Sequence, residues 1–385
     1  MLAAGAIDER VVCGQRFFVA EADRIARLCH RMAERFARGG RLIAFGSSAA
    51  DLSDVRHVAV EFVHPVIVGK RALPALGVSC ADVGLLARRG DIAMAFGDSP
   101  EVVAAVRSAS AIGCLTVAFA PVGADWEFTV PTADPFVAQE QIETTYHVLW
   151  ELVHVFFDHR GLLEGRHDRP RHDTGASSFL YPFLAEAEDD LDAVLTDVGD
   201  SALAKAAEAG ALRAQTLGEG LEVIQAAGRA LRDRFARDGK LLALGNGGSA
   251  TDAMDAVADL RRPPPPMPAR PAIDLTEDAP ILTAVANDVG VEAIFARQVI
   301  AYGHADDALL TFSTSGNSEN VIAALTEARR IGLLTIAFVG YDGGQIAGEK
   351  LADFVVVTRS EHIPRIQEAQ ASAWHVLREL MEEEA

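Results

Sequence analysis

The chain has 385 residues, half of them hydrophobic and only 6% aromatic, with a formal net charge of −20. That length suits two domains of roughly 150–200 residues, each with a core of Ala, Val, Leu and Ile. The acidity argues against nucleic acid as the main partner, because no basic face offsets it, yet it leaves open a phosphorylated small molecule held by backbone N–H groups and hydroxyls.

Each copy opens on a helical stretch, with Gly239 as the stop signal in the second, and in the first the apolar strand LIAFG follows at 42–46. A small-residue turn leads into a second helix carrying His57 and Glu61, and further apolar runs such as IGCLTVAF (112–119) precede a long helix at about 136–158. The polar, Gly- and Pro-containing stretch GLLEGRHDRPRHDTGASS then reads as a linker. The plan restarts: RFARGGRLIAFG (35–46) returns as RFARDGKLLALG (234–245), IGCLTVAF as IGLLTIAF (331–338), and QEQIETTYH (139–147) as QEAQASAWH (367–375). Three blocks in one order mark a duplicated domain. The boundaries expected are 1–160, a linker over 161–195, and 196–385. Apolar runs without alternation, separated by helices, predict a mainly parallel five-stranded sheet covered on both faces in each copy, an α/β three-layer sandwich. The run PPPP at 263–266 is a rigid loop before the strand PAIDL. Cys13, Cys29, Cys80 and Cys114 lack CxxC spacing and read as reduced, buried thiols. With no apolar run near the ~18–20 residues of a membrane span and no signal-peptide pattern, a soluble cytoplasmic protein without a membrane partner is expected.

Two loops of the second copy carry the chemistry. GNGGSATDAM (245–254) follows a strand and opens a helix, and STSGNSENV (313–321) repeats that design with four hydroxyls. Glycines allow a tight turn, and N–H groups with hydroxyls at a helix N-terminus favour a phosphate. An ordinary N-cap would need one hydroxyl, not four.

With GNGGS, ANDVGVEAIFARQV, STSGNSENV, YDGG and IPRIQE in order, the second copy resembles the sugar isomerase (SIS) domain, and within it the phosphoheptose isomerases. The resemblance implies tandem SIS domains. It implies phosphosugar binding by Asn246, Gly247, Gly248, Ser249, Ser313, Thr314, Ser315 and Ser318, with Asp288 touching substrate. Gln367 and His375 match a ligand or catalytic pair near the reactive end of the sugar. Family members also carry a His-x-x-x-Glu pair on the helix after the glycine loop, which puts an imidazole and a carboxylate on one helical face. Together with the Gln and His of the last helix, this pair binds a divalent metal or serves as acid and base.

In the second copy that pair falls at Asp255 and Asp259, which read as surface or loop-facing acids, with weak oxygen ligands as the alternative. The first copy keeps the quartet His57, Glu61, Gln139 and His147, the expected ligands of a divalent metal such as zinc. Its phosphate loops are altered: GNGGS has become GSSAA, STSGNS has become MAFGDS, and the segment matching ANDVGVEAIFARQV is absent. Glu61, His147 and His375 are the expected catalytic groups of an aldose–ketose isomerase working through an enediol at a composite inter-domain site, in a homo-oligomer. Two alternatives stand beside it: a non-catalytic phosphosugar-binding regulator or initiator-associating SIS protein, and another SIS enzyme of amino-sugar phosphates. The first copy could also be a structural relic.

Overall fold

The computed structural model describes residues 2–66, 70–158, 162–163 and 190–382. Most of the expected linker, 161 and 164–189, lies outside the described residues. In chain order the elements are α1 (Leu2–Ala37), β1 (Leu42–Gly46), α2 (Ala49–Val63), β2 (Ala75–Ser79), α3 (Val83–Leu86), β3 (Ile92–Ala95), α4 (Pro100–Ile112), β4 (Leu115–Ala118), β5 (Trp126–Glu127) and α5 (Pro135–Asp158). The second series is α6 (Leu191–Phe235), β6 (Leu241–Leu244), α7 (Gly248–Arg261), β7 (Ala272–Asp274), α8 (Ala279–Asp288), α9 (Ala296–Tyr302), β8 (Ala308–Ser313), α10 (Glu319–Ile331), β9 (Leu334–Gly340), α11 (Gly344–Gly348), β10 (Phe354–Thr358) and α12 (Ile363–Glu382).

The chain divides into two compact units. One, here the N-terminal unit, comprises Cys13–Ala133 and Gln141–Glu208; the other, the C-terminal unit, joins residues 1–12 and 134–140 to those from Ala209 onward. The units therefore do not coincide with the sequence copies: a short stretch of α5 from the first copy belongs with the second sheet.

Each unit holds one five-stranded sheet, ordered β2-β1-β3-β4-β5 and β7-β6-β8-β9-β10, with every pair parallel. The two orders are the same, as the duplication requires. Successive strand side chains face opposite ways. Accordingly Leu241, Ala243, Leu310 and Phe312 pack with Leu231, Trp374 and Leu377 on one side. Leu242, Leu244, Leu309 and Val339 pack with Phe295, Val321 and Leu325 on the other. This gives the three layers expected. In the N-terminal unit Ile43, Phe45, Ala93 and Ala95 pack against Val102 and Val106 of α4. Among the described residues, only a short turn and α3 lie between β2 and β3, where the second copy has α8 and α9, and Leu76 of β2 is exposed.

Strand order reverses between β1 and β3 and again between β6 and β8. In parallel α/β sheets such a switch point opens a crevice beyond the carboxyl ends of the strands. The Gly- and Ser-rich loops of the sequence leave those very strands. Among the described residues no helix is long and apolar enough to cross a membrane.

Candidate functional site

At the end of β6 the backbone turns against the first turn of α7. A Cβ on Gly245 would lie 2.1 Å from the Ser249 carbonyl oxygen, so only glycine fits. Gly247, at φ +58°, caps α7 without a side-chain bond. Asn246 and Asn320 exchange two amide hydrogen bonds of 2.9 Å, tying this loop to the start of α10.

The loop after β8 has the same purpose. Gly316 takes φ +63°, and a Cβ there would meet the Gly343 carbonyl oxygen at 2.2 Å. Its N–H donates to Ser313 Oγ at 3.2 Å, and the N–H of Asn317 donates to Ser315 Oγ at 3.2 Å. Ser318 is the N-cap of α10, yet its side chain makes no capping bond. The hydroxyl instead lies 3.4 Å from that of Ser313. The N–H of Val321 bonds the Ser318 carbonyl at 3.1 Å, which leaves those of Glu319 and Asn320 for another acceptor at the positive end of the helix dipole. Asn246 and Gly247 lie in the loop after β6, Gly248 and Ser249 open α7, Ser313 ends β8, and Thr314, Ser315 and Ser318 lie in the loop that follows it. Asp288 ends α8, a helix that buries none of its side chains, and accepts a bond from its neighbour Asn287.

Farther along α7, Asp255 and Asp259 are spaced to share one helical face. From Ser249 to Asp255 the helix rises ~9 Å. Both acids are buried, at 9% and 4% exposure, which corrects their reading as surface or loop-facing residues. They face His375 of α12, itself 0% exposed, whose Nε2 lies 3.5 Å from Asp255 Oδ2 and 3.5 Å from Asp259 Oδ2. The other ring nitrogen, Nδ1, is 2.9 Å from Glu140 Oε1. Each carboxylate has its own support: Gln139 Nε2 donates to Asp255 at 2.6 Å and Trp374 Nε1 to Asp259 at 2.8 Å. Arg10 Nε donates to Glu140 at 2.9 Å, and the Phe136 ring stacks on the imidazole at 4.6 Å.

The electrostatics follow from burial and proximity. Burial, then the charge of Asp255, raises Asp259 to about 6. For His375 burial acts downward, but the nearby carboxylates of Asp255, Asp259 and Glu140 outweigh it and hold the imidazole pKa well above its ordinary range. Glu140 would be raised by burial, yet Arg10 and His375 bring it down to about 2. The arrangement is a buried imidazolium steered by one permanently ionised carboxylate and facing two others, one of which titrates near neutrality. Such a group can give and take protons.

In the N-terminal unit His57 and Glu61 on α2 meet His147 on α5, with the two Nε2 atoms 3.2 Å apart. Glu61 Oε1 lies 4.0 Å from His57 Nε2, and Glu61 Oε2, also buried, has no hydrogen-bond partner. Glu143, one turn before His147, completes a set with the two histidines whose ligand atoms lie within 4.8 Å of one another. Tyr146 Oη is 3.0 Å from His57 Nδ1 and orients that ring. Burial, then the neighbouring His147, lowers His57 well below its usual value, and burial raises Glu61 to about 7. Gln139, grouped with these residues from the sequence, falls instead in the C-terminal unit on Asp255. Gln367 is buried on α12.

Sequence reasoning missed Glu140, Glu143 and Trp374. The Glu143–His147 spacing of four, the reverse of His57–Glu61, was the available signal for one of them.

Residues 206–340 match the family model described as SIS domain. The phosphoheptose isomerase of Desulfovibrio desulfuricans is 47% identical over 147 residues, which is 38% of this chain and 69% of that protein. The phosphoheptose isomerase of Pelodictyon phaeoclathratiforme is 46% identical over 164 residues, 42% of this chain and 77% of the relative. A solved structure, the C-terminal domain of glucosamine-fructose-6-phosphate aminotransferase from Francisella tularensis, aligns over 98% of this chain and 93% of its own length. At TM-score 0.60 and 10% identity, it speaks for the fold alone.

Proposed function

The chain belongs to the SIS-domain family of the phosphoheptose isomerases, and on that premise we propose that it interconverts the aldose and ketose forms of a heptose phosphate or a related sugar phosphate. One observation carries the reading: a single helix, α7, starts in a hydroxyl-lined loop suited to phosphate and continues to a buried Asp–Asp–His cluster. The phosphate rests on Ser249 and on Ser313, Thr314, Ser315 and Ser318, with the N-terminus of α10 supplying N–H groups. The open-chain sugar extends toward His375. The Asp255–Asp259 pair removes a proton from the carbon beside the carbonyl, and His375 protonates the carbonyl oxygen, giving an enediol. Glu140 holds His375 in the charged state that this requires. The site is composite in sequence, since Gln139 and Glu140 come from the first copy, although it lies within one compact unit.

The His57, Glu61, Glu143 and His147 cluster is suited to a divalent ion such as zinc, because two imidazole nitrogens converge beside a buried carboxylate oxygen that has no other partner. There an ion would neutralise buried carboxylates and act as a Lewis acid. Glu61 and His147 are then its ligands more than proton carriers. Action in the cytoplasm as a homo-oligomer is part of the same reading.

The test is incubation with sedoheptulose 7-phosphate, with and without zinc, following the aldose product. Ser315→Ala should raise KM, and Asp259→Asn should lower kcat with binding retained. A second reading, a phosphosugar-binding regulator, is favoured by the replacement of the family's His and Glu with Asp255 and Asp259. Tight binding without turnover would select it.

A further inference from the structure

We propose that the crevice beyond β1 and β3 in the N-terminal unit is occupied by the chain's own anion, the carboxylate of Asp51, and that this unit therefore admits no phosphosugar. The proposal rests on the phosphate reading of the C-terminal loops, to which this crevice corresponds by topology.

Asp51 precedes His57 by six residues, as Ser249 precedes Asp255 by six. Counted back from the His57 and Asp255 positions, a carboxylate in one copy thus stands where the other has a hydroxyl, although Asp51 is the third residue of α2 and Ser249 the second of α7. That carboxylate is seated as a ligand would be. Asp51 Oδ2 accepts the N–H of Ser47 at 3.0 Å and of Ser48 at 2.8 Å. Its side chain also touches the backbone of both loops: a Cβ on Gly46 would lie 2.4 Å from Asp51 Cβ, and one on Gly97 2.5 Å from Asp51 Oδ2.

The hydroxyls are engaged as well. Ser48 Oγ accepts the N–H of Asp51 at 3.0 Å, closing a capping box, and Ser99 Oγ accepts the N–H of Val102 at 3.3 Å. Ser47 Oγ donates to Ser99 Oγ at 2.9 Å. In the C-terminal unit, by contrast, α7 opens on Gly247, which has no side chain, and the Ser318 side chain makes no capping bond.

Charge points the same way. Aligning GDSPEV with GNSENV puts Asp98 where the second copy has Asn317, and Glu101 where it has Asn320. Burial, followed by the charges of Asp51 and Glu101, pushes the nearby Cys80 thiol up, so both carboxylates act on this crevice. A phosphate would have to displace one anion and sit beside another.

The experiment compares the wild type with Asp51→Ser by calorimetric titration with sedoheptulose 7-phosphate, each variant checked for native far-UV circular dichroism. The wild type should bind one equivalent per chain and the variant two. In a parallel measurement the backbone amide resonances of Ser47 and Ser48 should stay fixed when inorganic phosphate is added to the wild type and move in the variant. Two equivalents in the wild type, phosphate-dependent shifts of its Ser47 and Ser48 amides, or a folded variant without the added equivalent would each overturn the proposal. No binding by the wild type with one equivalent in the variant would instead remove the C-terminal phosphate reading and leave Asp51 as the excluding group.

Discussion

Replacing Glu61 by Gln should make the metal-free protein more stable at pH 8 and less dependent on pH. Glu61 is 2% exposed, one of its oxygens is unpartnered, and burial raises its pKa from 4.5 to about 7. Between those values the folded chain keeps a proton that the unfolded chain has released, so stability falls as pH rises from 4.5 to 7 and is flat beyond. At about 1.4 kcal/mol per pH unit, the ionised carboxylate costs about 3 kcal/mol above pH 7. Gln keeps the shape and does not titrate. The assay is urea unfolding in EDTA at several pH values, read by tryptophan fluorescence, since Trp150 is buried in the same unit. The wild-type advantage over Glu61→Gln should shrink by about 3 kcal/mol from pH 4.5 to pH 7. Adding zinc should reverse the ranking at pH 8, because a cation favours the carboxylate. Parallel stability curves for the two proteins would refute the reasoning, as they would mean that Glu61 ionises in water-like surroundings.

Glu140 should act in the opposite direction. Its pKa is depressed from 4.5 to about 2, so its contribution of about 3 kcal/mol is complete above pH 4.5 and is lost as pH falls through 2; acid unfolding of wild type and Glu140→Gln should converge there. At neutral pH Glu140→Gln leaves Arg10 and His375 facing a neutral amide in a buried site, a loss of about 3–5 kcal/mol measurable by denaturation. Gly316→Ala places a Cβ at φ +63° against the Gly343 carbonyl, which should cost roughly 1–3 kcal/mol and displace the Ser315 loop, lowering phosphosugar affinity at least tenfold by calorimetry.

The fold was readable because its signals are local. LLALG, LLTIAF and DALLTF are unalternating apolar runs, and a parallel sheet buried on both faces is what such runs form. The loops were readable for the same reason, since the chemistry of STSGNS is contiguous. The burial of Asp255 and Asp259 was not, because acids one turn apart on a helix look alike in water and in a core until the facing helix is known. Gln139 meets Asp255 across 116 residues of chain, and Glu140 meets His375 across 235. No periodicity encodes pairings at those separations. GSSAAD reads as a decayed loop until Asp51 is seen with its N–H partners, although Ser48 and Asp51 already stood at capping-box spacing.

That dependence on distant segments gives one more expectation. The relatives match only 38–46% of this chain, and the matched family model ends within the second copy. Residues 196–385 by themselves contain both Gly- and Ser-rich loops, Asp255, Asp259 and His375. They lack Arg10, Gln139 and Glu140, which the structure places in the same compact unit. Without Glu140, the Nδ1 side of His375 loses its acceptor and the imidazolium loses the charge that holds it; without Gln139, Asp255 loses its donor. The fragment should therefore bind phosphosugar through its loops with little change in Kd. Its kcat should fall by about 10²-fold or more, the scale on which a positioned proton-transfer group acts. Glu140→Gln in the full chain should reproduce most of that loss, with a shifted pH–rate profile. A fragment as active as the full chain would show that the duplicated half supplies nothing to the chemistry and that Glu140 is only a packing partner of Arg10.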